Sequence, residues 1–240
     1  MAILQEQAFE FRNLGRLDWD AAAVEQERFA EAVGRGRCPA TVLFVEHEPV
    51  YTCGLRFRRE NFRRPFDPNE GAYCGVPVRR AFRGGEVTYH GPGQLVVYPI
   101  LPLGRGGRQL RRLVERYQEI IVAVLGELRI AAFGRPDAIG VWTDRGKIAS
   151  IGVGLRRGVT RNGFAVNVSV DARAFRAIVP CGRSEPIANI NDFFTDPPSA
   201  IRNPQSAIKR ISVDDVRALV EKQFIRLGTA LLPRREEISP

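Results

Sequence analysis

Lysine is nearly absent from this chain. Of its thirty-six basic residues only Lys147, Lys209 and Lys222 are lysine, and the rest are arginine. Histidine occurs twice, at His47 and His90, tryptophan twice and methionine once. The four cysteines, Cys38, Cys53, Cys74 and Cys181, form no Cys-x-x-Cys pair and have no histidine cluster beside them. That excludes a zinc ribbon or a disulfide framework and leaves four reduced thiols as the expectation. No apolar run is long enough to span a bilayer, so no membrane segment is expected. Residues 1–7 lack a basic start followed by an apolar stretch, so no secretory signal is expected and a cytoplasmic setting is the default.

What is present is a chain of 240 residues, 44% hydrophobic, with a formal charge of +9 and a pI near 10.0. The charge points to an acidic partner or to a solvated basic surface. No helix-turn-helix, aromatic RNA-binding motif or zinc finger accompanies it, so nucleic acid is not the expected partner. Where arginine serves almost every cationic role, a lysine in an apolar strand suggests a task arginine cannot perform, namely giving up its proton.

Periodicity places a weak strand over residues 4–12 and a helix over 18–33 with an acidic start and Gly34 behind it. It gives a buried strand over 41–45 and a long basic and aromatic loop over 55–75. Strands follow at 76–78, 86–89 and 95–100, broken by glycine and proline. Leu113, Tyr117, Ile120, Ile121, Val124 and Leu128 stand at helical spacing within a helix over about 108–129. Strands near 139–143, 147–155 and 163–170 come next, with a short turn or helix at 172–177 and a loop over 195–210. Ser212 with Asp215 three residues on reads as a capping box opening a helix to about residue 232. Strand runs interrupted by a few helices, with no repeat and no linker, predict an α+β single domain with mixed or antiparallel sheets flanked by helices. Residues 1–232 form the expected domain and 233–240 a polar tail.

Three stretches carry chemistry. Residues 83–94 place four glycines beside Arg83, Thr88, Tyr89, His90 and Gln94. Such a backbone approaches a ligand closely, although a glycine-rich hairpin fits the composition too; it is neither a phosphate loop nor a dinucleotide fingerprint. Residues 146–154 carry Lys147 into a small, apolar strand, where burial would lower its pKa, unless it snorkels to water. Residues 175–183 set Cys181 between Pro180 and Gly182 on a bend. Such a thiol is inert unless something stabilises the thiolate; Lys147 as ammonium could do so and could carry protons during acyl transfer.

Together, in order, these stretches resemble the lipoyl(octanoyl) transferases, which share a fold with the biotin and lipoate protein ligases. The resemblance spans Glu46-His47, Thr52 and Gly54, the Arg-Gly-Gly-x-x-Thr-Tyr-His-Gly-Pro-Gly-Gln block, Tyr98-Pro99-Ile100, Gly140-Val141-Trp142, Lys147-Ile148-Ala149, Gly163 with Ala165 and Asn167, and Pro180-Cys181-Gly182. It implies transfer of octanoyl from octanoyl-acyl carrier protein to a lysine of lipoyl domains, those of 2-oxoacid dehydrogenases and the glycine cleavage H protein, through an acyl-thioester on Cys181. Lys147 matches the lysine that lowers the cysteine's pKa. Arg83, Gly84, Gly85, Glu86, Val87, Thr88, Tyr89 and His90, with Ser150, Ile151, Gly152, Gly163, Phe164 and Ala165, match the family's acyl-binding segments. No metal, cofactor or nucleotide is implied, and a monomer is expected. Two departures stand out. Asn162 replaces a usual histidine and cannot shuttle a proton near neutrality. Arg183, where the family has an aliphatic residue, follows Cys181-Gly182. Two other readings fit parts of the pattern: an amidotransferase moving octanoyl or lipoyl between protein lysines, and a basic nucleic-acid-binding relative of the fold.

Overall fold

A computed structural model describes residues 8–66, 71–104, 107–179, 186–194 and 210–232. Two sheets form within them. The larger runs β1(Phe9–Leu17), β2(Ala40–His47), β7(Gln94–Ile100), β11(Val159–Asn167), β10(Gly146–Arg156), β9(Ala138–Thr143) and β8(Phe133–Arg135), in that spatial order. Only the β1–β2 pairing is parallel. The smaller runs β4(Ala72–Tyr73), β5(Val76–Arg80), β3(Val50–Cys53) and β6(Val87–His90), with β5 and β3 parallel. The α+β expectation is met, as a mixed sheet with helices on both faces.

β2 is buried on both sides, which is why its sequence is a continuous apolar run rather than an alternation. Val42 and Phe44 face one core and Leu43 and Val45 the other. The first core lies beneath α2(Gly107–Glu127) and α4(Val213–Leu227), with the one-turn α3(Ala172–Phe175) between them in the chain. There Leu113, Tyr117, Ile120, Ile121, Val124 and Leu125 of α2 are fully buried. At about 1.5–3 kcal/mol for each buried large side chain this face anchors the helix, and a charge at Ile120 would break it. The second core lies beneath α1(Trp19–Gly34), capped by Asp18, whose side chain accepts from Ala21 N at 2.8 Å. Ser212 and Asp215 form the expected reciprocal capping box at the start of α4.

Three sequence expectations shift. The first strand occupies Phe9–Leu17 rather than 4–12; as an edge strand it buries little beyond Phe9, so backbone pairing to β2, not an apolar pattern, sets its extent. Residues 1–7 lie outside the described part, as does the 233–240 tail. The loop over 55–75 holds a 3-10 turn at Arg59–Asn61 and strand β4. β6 and β7 are not a hairpin, because they belong to different sheets. Among the described residues no helix is long and apolar enough to cross a membrane.

Candidate active site

The cleft begins where the chain passes from the small sheet to the large one. Gly93 makes that crossing with φ +84° and lies so close to Ser169 that a Cβ would sit 2.6 Å from its carbonyl. Only glycine fits both demands. The crossing turns His90 toward Gln94, and Nδ1 of His90 lies 2.7 Å from Oε1 of Gln94. Nε2 of Gln94 donates to Oδ1 of Asn167 at 2.9 Å, which fixes the amide's orientation. His90 Nδ1 therefore carries the hydrogen and Nε2 keeps a lone pair. Beside it His47 donates from Nδ1 to the Leu17 carbonyl at 3.2 Å and accepts from the Tyr98 hydroxyl at 2.7 Å. Burial pushes both imidazoles down, His47 to about 4 and His90 to about 3. For His90 the neighbouring His47, with ring centroids 5.8 Å apart, adds to the effect of burial. Both rings are neutral at physiological pH.

One wall is the glycine-rich stretch. The Arg83 guanidinium is buried; Nη2 donates to the Thr52 carbonyl at 2.6 Å and hydroxyl at 2.8 Å, and Nη1 donates to the Gly84 carbonyl at 3.1 Å. Gly84 N donates to the Val153 carbonyl at 3.0 Å, hanging the stretch on the edge of β10 beyond the end of its pairing with β9. The alternation Gly152-Val153-Gly154 makes room for it. A Cβ on Gly154 would lie 2.0 Å from the Phe82 carbonyl, and one on Gly152 would lie 3.0 Å from Cδ of Arg83.

The second wall is the β10–β11 pair. Ser150 faces Ala165, Ile151 faces Phe164 and Gly152 faces Gly163. Together with residues 83–88 and His90 these strands enclose a cleft of about 400 Å³, extended by Leu110 and Val114 of α2 and by Ile139. All three acyl-binding segments named from the sequence therefore meet. Tyr89 does not join them: its neighbours on β6 face the cleft, while its ring packs against Tyr51 and Phe175 beneath the small sheet.

Lys147 also lines this cleft. Its backbone is held on one side by residues 186–188: Lys147 N donates to the Pro186 carbonyl at 2.9 Å, and Ala188 N donates to the Lys147 carbonyl at 3.0 Å. Asn167 braces the same place, donating to the Ala188 and Lys147 carbonyls at 3.2 and 3.4 Å. The side chain crosses Trp142, with Nζ 5.3 Å from the ring centroid. Gly140 lies beneath it, where a Cβ would be 2.5 Å from Cε.

Pro180, Cys181, Gly182 and Arg183 lie outside the described residues. Both flanks are fixed at the cleft. Residues 186–188 are pinned to Lys147 as above, and on the other side Ile178 pairs with Phe62 and Val179 N donates to the Asn61 carbonyl at 2.7 Å. The Asn61 side chain donates to Oε2 of Glu86 at 2.6 Å and to the Val179 carbonyl at 3.2 Å, and accepts from Arg58 N at 2.8 Å. This junction was not visible in the sequence, where Asn61 is one polar residue in a basic loop. Asn162 lies on β11 with φ +58°, a conformation asparagine tolerates better than most residues. It donates to the Phe82 carbonyl at 2.9 Å, and its N–H is satisfied by Gln26 of α1 at 3.0 Å. Among the other cysteines Cys53 is buried, with its thiol pushed up to about 11 by that burial. Among the described residues no group of three His, Cys, Asp or Glu is arranged to hold a metal.

Comparison with known proteins agrees with this geometry. The family model described as lipoyl protein ligase A/B catalytic domain matches residues 19–225. An octanoyltransferase of Geobacter metallireducens is 41% identical over 230 residues, covering 95% of this chain and 98% of that protein. An octanoyltransferase of Geotalea uraniireducens is 46% identical over 170 residues, covering 71% and 75%. Among solved structures, a bi-partite lipoate protein ligase from Thermoplasma acidophilum superposes with TM-score 0.68 at 18% identity, covering 93% of this chain and 85% of that one. A lipoate-protein ligase A bound with ATP gives 0.66 at 18% identity, covering 92% and 85%. At such identities the structural likeness concerns the fold alone.

Proposed function

Because the chain belongs to the lipoyl protein ligase A/B catalytic domain family, we propose that it is an octanoyltransferase acting through a thioester on Cys181, with octanoyl-acyl carrier protein as donor and a lipoyl-domain lysine as acceptor. The observation that carries this reading is the pair of anchors around Cys181. Pro186, five residues after it, is hydrogen-bonded to Lys147, and Val179, two residues before it, is hydrogen-bonded to Asn61. Five residues of chain span at most roughly 17 Å, which supports pairing Cys181 with Lys147.

In the first half-reaction the Cys181 thiolate, held by the Lys147 ammonium, attacks the carrier's thioester carbonyl. The carrier thiolate leaves and takes its proton from the Lys147 ammonium, which leaves that lysine as the amine. In the second, the acceptor lysine's amine attacks the Cys181 thioester, Lys147 receives the proton, and the cysteine leaves again as thiolate. A thioester is exchanged for a thioester and then for a more stable amide, so no nucleotide is needed. The cleft's apolar walls suit the acyl tail: at about 0.8 kcal/mol per buried methylene, the six methylenes of octanoyl contribute about 5 kcal/mol. The neutral His90, with Nε2 as acceptor, places no charge against that tail. We assign catalysis to residues 1–232 acting as a cytoplasmic monomer, and no role to 233–240.

Intact-mass analysis after incubation with octanoyl-acyl carrier protein tests the reading. One octanoyl mass should appear, labile to hydroxylamine, and should be lost in Cys181→Ser. Labelling that persists in that variant moves the nucleophile elsewhere. The amidotransferase alternative uses the same thiol chemistry and is separated by its donor: acylation from an octanoylated lipoyl domain faster than from the carrier would establish it.

A further inference from the structure

A segment that begins at the wall of the cleft is rich in arginine, and it is bonded to the chain leading toward Cys181. Residues 55–66 contain five arginines and one glutamate, a net +4 of the chain's +9. Arg56, Arg58, Arg59, Arg63 and Arg64 are all exposed. Arg56, Arg58, Arg59 and Arg64 form no ion pair among the described residues. Several basic residues elsewhere are paired, Arg28 with Glu25 at 2.6 Å, Arg217 with Glu221 at 2.6 Å and Lys222 with Glu127 at 2.7 Å. In this segment five arginines stand against a single glutamate.

Its backbone is placed by three contacts with residues 177–179. Arg63 N donates to the Ala177 carbonyl at 3.1 Å, Phe62 pairs with Ile178, and Val179 N donates to Asn61. Tyr73 secures the same point, donating to the Ala177 carbonyl at 3.1 Å and accepting from Arg64 N at 3.0 Å. A second hollow of about 520 Å³, bordered by Arg58 and Phe57, adjoins the acyl cleft and shares Leu55, Arg56 and Glu86 with it. Leu55 is 65% exposed, an apolar point within the basic field.

Resting on the octanoyl-transfer reading, we infer that the arginine segment 56–64 is the docking surface for the acyl donor, an acidic carrier protein, and not for the acceptor. Charge selects the donor: the acyl group arrives on a phosphodiester-bearing arm, which an arginine rim attracts, whereas the acceptor presents an amine that is a cation in solution and is repelled. The segment also adjoins residues 177–179, just before the thiol that both substrates must reach. Opposed charge at such a rim acts chiefly on the association rate and on salt dependence.

The test compares wild type with Arg58→Glu/Arg59→Glu/Arg64→Glu, and with the corresponding triple glutamine variant should the first fail to fold. Affinity for the carrier protein is read by fluorescence anisotropy, single-turnover acylation with octanoyl-carrier and with the neutral octanoyl thioester of N-acetylcysteamine, and transfer from pre-acylated enzyme to a lipoyl domain. The expected result is a carrier Kd raised at least tenfold, a flattened salt dependence of acylation by the carrier, and rates with the small thioester and with the lipoyl domain within twofold of wild type. Equal loss with both donors would make the segment structural, and loss confined to the lipoyl-domain step would assign it to the acceptor; either overturns the inference, as does unchanged carrier affinity. Equal capture of single-stranded RNA overturns it too, as a general anion surface. If wild type binds the carrier through these arginines but is acylated by neither donor, the octanoyl-transfer reading fails while the docking surface stands.

Discussion

Lowering the pH from 7 to 5 should destabilise the protein by about 4 kcal/mol, through two side chains. His47 and His90 are the only histidines in the chain. Burial holds them at about 4 and about 3 in the folded state, against about 6.5 when unfolded. The folded form therefore stays neutral while the unfolded form takes up protons as pH falls. The stability is fully present above pH 6.5 and is lost as pH drops toward 4. At pH 5 each histidine lies about 1.5 units below its unfolded pKa, which costs about 2 kcal/mol apiece. Carboxylates barely contribute in this window. Asp171 and Glu127 are held down by surface partners, Arg173 and Lys222, and lose that benefit only at lower pH. Urea titrations at pH 7, 6 and 5 should show the unfolding free energy falling by about 2.4 kcal/mol between pH 6 and 5, and His90→Asn should roughly halve that slope. NMR should show neither imidazole titrating above pH 5. A stability flat from pH 7 to 5, or an imidazole with a midpoint near 6.5, would refute the buried neutral pair.

Lys147→Arg should retain reactivity of Cys181 toward iodoacetamide at neutral pH but lose most transfer to the lipoyl domain, because guanidinium holds a thiolate but does not give up its proton. Lys147→Ala should lose both, the thiol titrating near about 8.5; an unchanged alkylation profile with near wild-type transfer would dissolve the dyad. Gly154→Ala drives a Cβ to 2.0 Å from the Phe82 carbonyl, so denaturation should reveal a loss of about 1–3 kcal/mol together with weaker acyl binding. Asn61→Ala should cost about 1–3 kcal/mol and slow acylation of Cys181, and Asn61→Asp should be slower still, since it sets a carboxylate against Glu86; an aspartate variant as fast as wild type would remove Asn61 from the site. Cys53, with its thiol at about 11, should resist alkylation at pH 8 until the protein is unfolded.

The parts of the fold legible in the sequence are those set by one element's own pattern. The apolar stripe of α2, the Ser212–Asp215 cap and the doubly buried β2 each follow from spacing that local geometry imposes. The unreadable parts depend on two distant segments at once. Gly93, where the chain passes from β6 in one sheet to β7 in the other, is crowded by Ser169, 76 positions away. Tyr89 stands among cleft residues in the chain, yet its contacts with Tyr51 and Phe175 draw it beneath the small sheet. Asn61 takes its importance from Glu86 and Val179, neither of which marks it in advance.

Lys147 shows how far composition alone reaches. The scarcity of lysine singles it out, but not the reason it can sit where it does. Its aliphatic stem crosses Gly140, where any side chain would collide with Cε, and its ammonium lies over Trp142, its cross-strand partner on β9. The run Gly140-Val141-Trp142 is thus a seat for the lysine: a bare position under the stem, a core residue turned inward, and an aromatic face under the charge. An aromatic face attracts a cation without neutralising it and offers it no hydrogen-bond acceptor. Filling position 140 should disturb the lysine and the sheet together, because Gly140 has φ +138° and a Cβ there would lie 2.5 Å from Cε of Lys147 and 2.6 Å from the Ala149 carbonyl oxygen. In Gly140→Ala the urea midpoint should fall and the alkylation pH profile of Cys181 should shift upward, toward that of Lys147→Ala. A lowered midpoint with an unchanged thiol profile would mean that Gly140 serves only β9.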